Sequence, residues 1–175
     1  MTTVSTNEHR CHAVVESPLG PLRLVAEGDL LCGVYFEDQR HVPQPEVFGT
    51  FLPGGLEGPL AAVADQLDAY FAGELTTFHV ALAPAGTPFQ LRVWAALREI
   101  PYGQTRSYGE IASHLGQPGA ARAVGLANGR NPIGIIVPCH RVIGADGSLT
   151  GYGGGMERKR ALLELERQEG RLFVS

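Results

Sequence analysis

Ser107-Tyr108-Gly109-Glu110-Ile111-Ala112-Ser113-His114-Leu115-Gly116-Gln117-Pro118-Gly119-Ala120-Ala121-Arg122-Ala123-Val124-Gly125-Leu126-Ala127-Asn128 holds two helix signals separated by a breaker. Ser107 with Glu110 three residues later is a capping box, and Ile111, Ala112 and Leu115 give the short helix it opens an apolar side. Gly116-Gln117-Pro118-Gly119 interrupts the pattern, and a second helix is expected from Ala120 to about Asn128. Short helix, glycine-containing turn and second helix make a helix-turn-helix, an arrangement that offers its second helix to a nucleic-acid groove. In that helix Ala120, Val124 and Ala127 form a narrow packing stripe, while Arg122 shares its side with Gly125 and Gly129, where nothing projects. One long cation on a smooth face suits close approach and insertion of a single side chain better than a row of polar groups reading base edges. The pattern fits sequence-independent binding in a minor groove. A small-residue helix packed internally, with Arg122 in an ordinary salt bridge, fits it too.

Downstream, Ile135-Ile136-Val137-Pro138-Cys139-His140-Arg141-Val142 runs three β-branched residues into a proline. The run predicts a buried strand that Pro138 cannot continue, so Cys139 is expected at its end, where loops and sites lie. His140 and Arg141 supply positive charge, which favours the nucleophilic thiolate; a structural cysteine beside a solvated His-Arg pair is the other reading. On an extended segment neighbouring side chains face opposite ways, so proton transfer between Cys139 and His140 needs a bend or a bridging water. Gly144 to Ser148 reads as a turn, and Leu149 to Tyr152 as a short returning wing. A last helix is expected from about Met156 to Gln168. It carries Glu166 on the side of Leu162 and Leu163, while Glu157 and Glu164 read as surface charges. An inward glutamate needs a partner, and His140 is the one the chemistry wants. A Cys-His-Glu set activates a thiol, and by itself it fits a cysteine hydrolase as well.

Upstream, Thr87-Pro88-Phe89-Gln90 is another capping box, with Val93, Trp94, Leu97 and Ile100 continuing an apolar face until Pro101. Ala83-Pro84-Ala85-Gly86 reads as a link, which divides the chain into domains 1–86 and 87–175. In the first, His12 to Glu37 reads as three strands joined by two turns, an antiparallel meander with turns at Ser17-Pro18-Leu19-Gly20 and Gly28-Asp29. Gln39 to Gly58 has no period and reads as loop. Pro59 to Gly73 is helical by its stripe of Leu60, Val63, Ala64, Leu67, Tyr70 and Phe71. Thr77 to Leu82 suits one more strand, and residues 1 to 10 a loose tail.

The 175 residues, 44% of them hydrophobic, suffice for one ordinary domain or two small ones. Three widely spaced cysteines make no disulfide framework, no leader opens the chain, and no apolar run is long enough for a bilayer. These features point to a soluble protein of a reducing cytoplasm. The net charge of −4 is unevenly spread: residues 1 to 88 balance at −8 and residues 89 to 175 at +4. A basic half can attract phosphate while the acidic half stays away, although two unrelated solvated surfaces would give the same count.

Pro138-Cys139-His140-Arg141-Val142, with Gly151-Tyr152-Gly153-Gly154-Gly155 after it and Asn131-Pro132 before it, resembles the active-site signature of the O6-alkylguanine-DNA alkyltransferases. The resemblance extends to Ser17-Pro18-Leu19-Gly20 and Tyr70-Phe71-Ala72-Gly73, so it spans most of the chain. It implies an α+β architecture: a small antiparallel-sheet and helix domain, RNase H-like, followed by a winged-helix-like helix-turn-helix catalytic domain. It also implies repair by direct reversal, in which a flipped O6-alkylguanine gives its alkyl group to Cys139 in a single turnover without cofactor or metal, and it leaves activity on O4-alkylthymine open. The partner would be double-stranded DNA and the protein a monomer with no membrane attachment. Position by position, Cys139 would be the acceptor, His140 the base acting through water, Glu166 its orienter and Asn131 the hinge. Tyr108 would assist the leaving base and its rotation. Arg122, with Ala121 and Gly125 beside it, would fill the gap in the duplex. Tyr152, Gly153, Val142 and Pro138 would line the pocket. Gly153 replaces a serine found in some relatives and Gly134 a proline, which leaves acceptance of alkyl groups larger than methyl open. Some relatives hold a structural zinc, but Cys11, His12, Cys32 and His79 lack the paired spacing of such a site. A non-catalytic winged-helix or lesion-binding module is the rival reading; the sensors of that class replace the cysteine, which is present here.

Overall fold

The computed structural model describes residues 9–53, 56 and 58–167, and the chain divides into two compact units, Met1–Pro84 and Ala85–Ser175. Residues 1 to 8 of the expected tail and Gln168 of the expected last helix lie outside the described residues.

In the first unit the strands β1 (Arg10–Val15), β2 (Leu22–Glu27) and β3 (Leu30–Phe36) form the expected meander, in register from Arg10 opposite Glu27 to Val15 opposite Leu22. Arg10, expected in the tail, is already in β1. β3 is buried on both faces from Leu31 to Phe36, which explains why it reads as a continuous apolar run rather than an alternating one. Gly33 is required there: a Cβ would stand 2.5 Å from the Tyr35 ring. Helix α1 (Pro59–Phe71) packs on β1, β2 and β3 through Leu60, Val63, Leu67 and Tyr70. The other face carries a smaller cluster of Val25, Cys32, Tyr35 and Phe48.

Two expectations fail in this unit. The stretch read as loop after Gln39 contains a 3-10 turn, Pro45–Phe48, and a two-residue strand β4 (Thr50–Phe51) that pairs parallel with β1, giving the order β3-β2-β1-β4. The sheet is therefore mixed rather than wholly antiparallel. Thr77 to Leu82 forms no strand and makes one parallel bridge, Leu82 with Leu31. Both pairings are too short to leave a period in the sequence.

The second unit contains α2 (Pro88–Leu97), α3 (Tyr108–His114), α4 (Ala121–Gly129) and α5 (Met156–Arg167), with β5 (Arg106–Ser107) paired parallel to β6 (Val142–Ile143). Both capping boxes form as read, Thr87 with Gln90 and Ser107 with Glu110. α3 and α4 pack together and α2 packs on both. Trp94 Nε1, buried, donates to the Ala127 carbonyl at 2.9 Å and so ties α2 to α4. Gly116 ends α3 at φ 77, a conformation that suits glycine. The wing expected over Leu149 to Tyr152 is not a strand. After the Gly144 to Ser148 turn this segment is held by Lys159 and Tyr108 through the Thr150 carbonyl, not by a ladder.

Candidate active site

The Asn131 side chain organises the segment before the cysteine. Its Nδ2 donates to the carbonyls of Val137 at 2.8 Å and Ile133 at 3.4 Å, and its Oδ1 accepts from Ile133 N at 3.0 Å. The chain wraps around this amide, so Ile135 to Val137 is a series of turns and the strand read from the sequence does not exist. The β-branched residues are buried all the same, Ile133 at 0% and Ile135 at 1% exposure. Ile135 adopts φ 70. A β-branched residue pays on the order of 1–3 kcal/mol for such a conformation and holds it only where its surroundings fix it.

Cys139 therefore enters a single 3-10 turn, Cys139–Arg141, rather than a strand end. It is buried, and burial pushes its thiol up from the ordinary range; the Asn131 amide and the Lys159 ammonium pull the other way.

His140 is fully buried and its Nε2 lies 2.6 Å from Glu166 Oε2, so the histidine and glutamate that the sequence paired are in contact. Arg141 turns to the same carboxylate, Nε to Oε1 at 2.8 Å and Nη2 to Oε2 at 3.0 Å, with Nη1 on the Ile100 carbonyl at 2.7 Å. It is thus Glu166's partner, and not the free charge beside the thiol that its sequence position suggested. Gly103 N adds a donor at 3.3 Å. Burial pushes the Glu166 carboxyl up, but its bonds to His140 and Arg141 outweigh this and hold it down at about 2. For His140 burial prevails over the pull of Glu166, and its pKa falls below the ordinary value. An ionised carboxylate only accepts, so Nε2 carries the proton and donates it. Nδ1, buried and without a hydrogen-bond partner among the described residues, is left as the acceptor.

Two buried residues escaped the sequence reading. Lys159, on α5, has 0% exposure and donates to the carbonyls of Val142 and Thr150. Burial draws its pKa down to about 8, and Cys139 draws it back up. It lies three residues before Leu162 and seven before Glu166, so the wheel that turned Glu166 inward also turns Lys159 inward. Asn128, at the end of α4, donates from Nδ2 to the Cys139 carbonyl at 3.2 Å. It stands four residues after Val124, on the packing side, which was the signal for it.

Tyr108 opens α3, and its hydroxyl donates to the Thr150 carbonyl at 2.8 Å, the same oxygen that Lys159 holds. Burial and the nearby Cys139 raise its pKa. A Cβ on Gly151 would stand 3.1 Å from this hydroxyl and one on Gly125 3.7 Å from its ring, so both glycines border the tyrosine. Tyr152, Val142 and Pro138 are buried and Gly153 half-buried; burial raises the Tyr152 hydroxyl well above its usual value. On α4, Ala121 and Gly125 are half-buried and Arg122 is exposed. No ion pair holds Arg122 among the described residues. A separate cleft of about 340 Å³, bordered by Ile100, Arg106, Glu110 and His114, includes none of the Cys-His-Glu residues.

A buried thiol, a buried histidine bonded to a glutamate, and a helix-turn-helix thus stand in one unit. The model of the 6-O-methylguanine DNA methyltransferase ribonuclease-like domain matches residues 11–84, and that of the DNA binding domain matches residues 88–168. The methylated-DNA--protein-cysteine methyltransferase of Mycobacterium tuberculosis is 60% identical over 156 residues, 89% of this chain and 92% of that one. The protein of the same name from Methanosarcina acetivorans is 54% identical over 155 residues, covering 89% and 97%. A crystal structure of Mycobacterium tuberculosis OGT in complex with DNA superimposes with a TM-score of 0.83 at 57% identity, covering 91% of this chain and 94% of that one. With both of its domain models matched and relatives this similar over most of its length, the chain belongs to the 6-O-methylguanine DNA methyltransferase family.

Proposed function

We propose that this protein reverses O6-alkylguanine damage in duplex DNA by moving the alkyl group to Cys139 Sγ, once per molecule. The observation that carries the residue assignment is the 2.6 Å bond from His140 to Glu166, which leaves Nδ1 free to take a proton. Burial keeps Cys139 a thiol at rest, so a base must act before it becomes a nucleophile. His140 Nδ1 accepts the thiol proton, directly or through one water, and the imidazolium is stabilised by Glu166. The sulfur then attacks the alkyl carbon, the carbon–O6 bond breaks, and its electron pair goes to the guanine, which takes up a proton and leaves repaired. Tyr108 stands to guide that base, and Lys159 adds positive charge beside the sulfur.

The thioether has no hydrolytic exit, so the reaction consumes the protein. The target must leave the stack to reach a buried thiol, and extrusion costs a few kcal/mol; Arg122 fills the space it vacates, with Ala121 and Gly125 allowing close approach. Asn131 holds the loop, and Tyr152, Gly153, Val142 and Pro138 wall the pocket. Domains 1–86 and 87–175, a monomeric state and a reducing, cytoplasmic setting complete the reading. Among the described residues no helix is long and apolar enough to cross a membrane.

Intact-protein mass spectrometry after exposure to duplex DNA carrying O6-methylguanine tests the assignment. One added methyl group is expected, mapped to Cys139, with reaction stopping at one equivalent and Cys139→Ser inert. Turnover beyond one equivalent, or a label on Cys11 or Cys32, would refute it.

A further inference from the structure

Leu126 is 70% exposed in the middle of the nine-residue helix α4. The other large apolar side chains left exposed among the described residues reach 36% to 49%. A single exposed leucine is ordinary on a protein surface; the position of this one is not. Arg122, Leu126 and Arg130 follow one another at four-residue intervals. Arg122 and Leu126 therefore stand one turn apart on one side of α4, about 6 Å along its axis at about 1.5 Å per residue, and Arg130 follows as the residue that caps the helix end. Both arginines are exposed, and neither has a hydrogen-bonded or ionic side-chain partner among the described residues. The opposite side of the helix, Val124, Ala127 and Asn128, is buried. Ala123 and Gly129 flank the leucine without screening it, and a Cβ on Gly129 would meet open space.

A leucine between two unpaired guanidiniums fits a surface with anionic edges and an apolar middle. The minor groove of duplex DNA has that profile: phosphates border it, and its walls are the C–H faces of deoxyribose. We infer that Leu126 packs against the deoxyribose wall of the minor groove beside the gap Arg122 fills, and supplies a salt-independent share of DNA affinity between two salt-dependent arginine contacts. The inference rests on the proposed function and adds a contact residue to it.

The test measures affinity of the full chain for an undamaged duplex by fluorescence anisotropy across a salt series. An apolar contact releases no counterion, whereas each phosphate contact contributes about 0.9 to the slope of log affinity against log salt. Leu126→Ala is expected to weaken binding roughly fivefold at every salt concentration with the slope unchanged, in line with the apolar area it removes, and Leu126→Met to restore most of the loss. Arg122→Ala and Arg130→Ala should each lower the slope by about 0.9. Leu126→Ala indistinguishable from the parent while the arginine variants change the slope would overturn this inference alone. Arginine variants with unchanged slopes would remove α4 from the DNA face, and the reading beneath the inference with it. A Leu126→Ala protein that binds DNA normally but alters self-association in sedimentation velocity would make the leucine a contact between copies, and the inference wrong. Thermal melting is the control for folding; an exposed side chain should leave it unchanged.

Discussion

Glu166 serves His140, Arg141 and Gly103 at once, and this sharing decides the proton chemistry. At His140 burial, helped by the charges of Arg141 and Lys159, outweighs the pull of Glu166, so the imidazole pKa falls below its ordinary value. The pH dependence follows from the two directions. Below 6.5 the unfolded chain protonates His140 while the folded one resists, so stability falls as pH drops below 6.5. Glu166, at about 2 in the folded protein against an ordinary 4.5, contributes stability that is whole above 4.5 and is lost as pH falls towards 2. Urea unfolding from pH 3 to 8 should show both limbs. Glu166→Gln should erase the lower one, cost about 3–5 kcal/mol at pH 7 by leaving Arg141 buried and unpaired, and slow alkyl transfer by about 10²; an unchanged acid limb would place the carboxylate's effect elsewhere. The inward turn of Glu166 was legible because a helix repeats. Its second partner was not: on the extended segment the sequence suggested, Arg141 and Cys139 would share a side, and only the 3-10 turn sends the guanidinium to α5. Lys159 lies on the same wheel, but lysine is usually a surface residue, so its burial carries no sequence signal of its own.

Elements defined by their own local chemistry read well, and those defined by a distant partner did not. Both capping boxes and the glycine turn of the helix-turn-helix lie within a few residues of the bonds they make, so sequence suffices for them. The turns at Ile135 to Val137 depend on the Asn131 amide, and β4 and Leu82 depend on strands far away in sequence; none of these leaves a periodic trace. The Ser107 cap is the simplest element to test, because it fixes the helix whose first residue is Tyr108. Its Oγ accepts from Glu110 N at 3.1 Å and the Glu110 carboxylate answers to Ser107 N at 3.1 Å. Ser107→Ala should cost about 1 kcal/mol, a drop of a few °C in calorimetry, while Ser107→Asp should recover most of it. Equal melting of all three would mean that packing on α2 and α4, not the cap, sets the helix start.

Across the whole chain the charge is divided, −8 before residue 89 and +4 from there on, so the half that carries the helix-turn-helix is net basic in an overall acidic protein. DNA affinity should fall steeply with salt and vary by less than about tenfold among undamaged sequences, since phosphates rather than base edges set it. Competition binding with unrelated duplexes measures this, and a thousandfold preference for one sequence would indicate a reader of bases instead. The bond between His140 and Glu166 has a further consequence, in the order of synthesis. The two residues are 26 positions apart, so at about 5–20 residues per second the ribosome makes the cysteine and its histidine a second or more before the glutamate that orients them. On the proposed mechanism the thiol is therefore activated only after Glu166, in the last turn of α5, has been made.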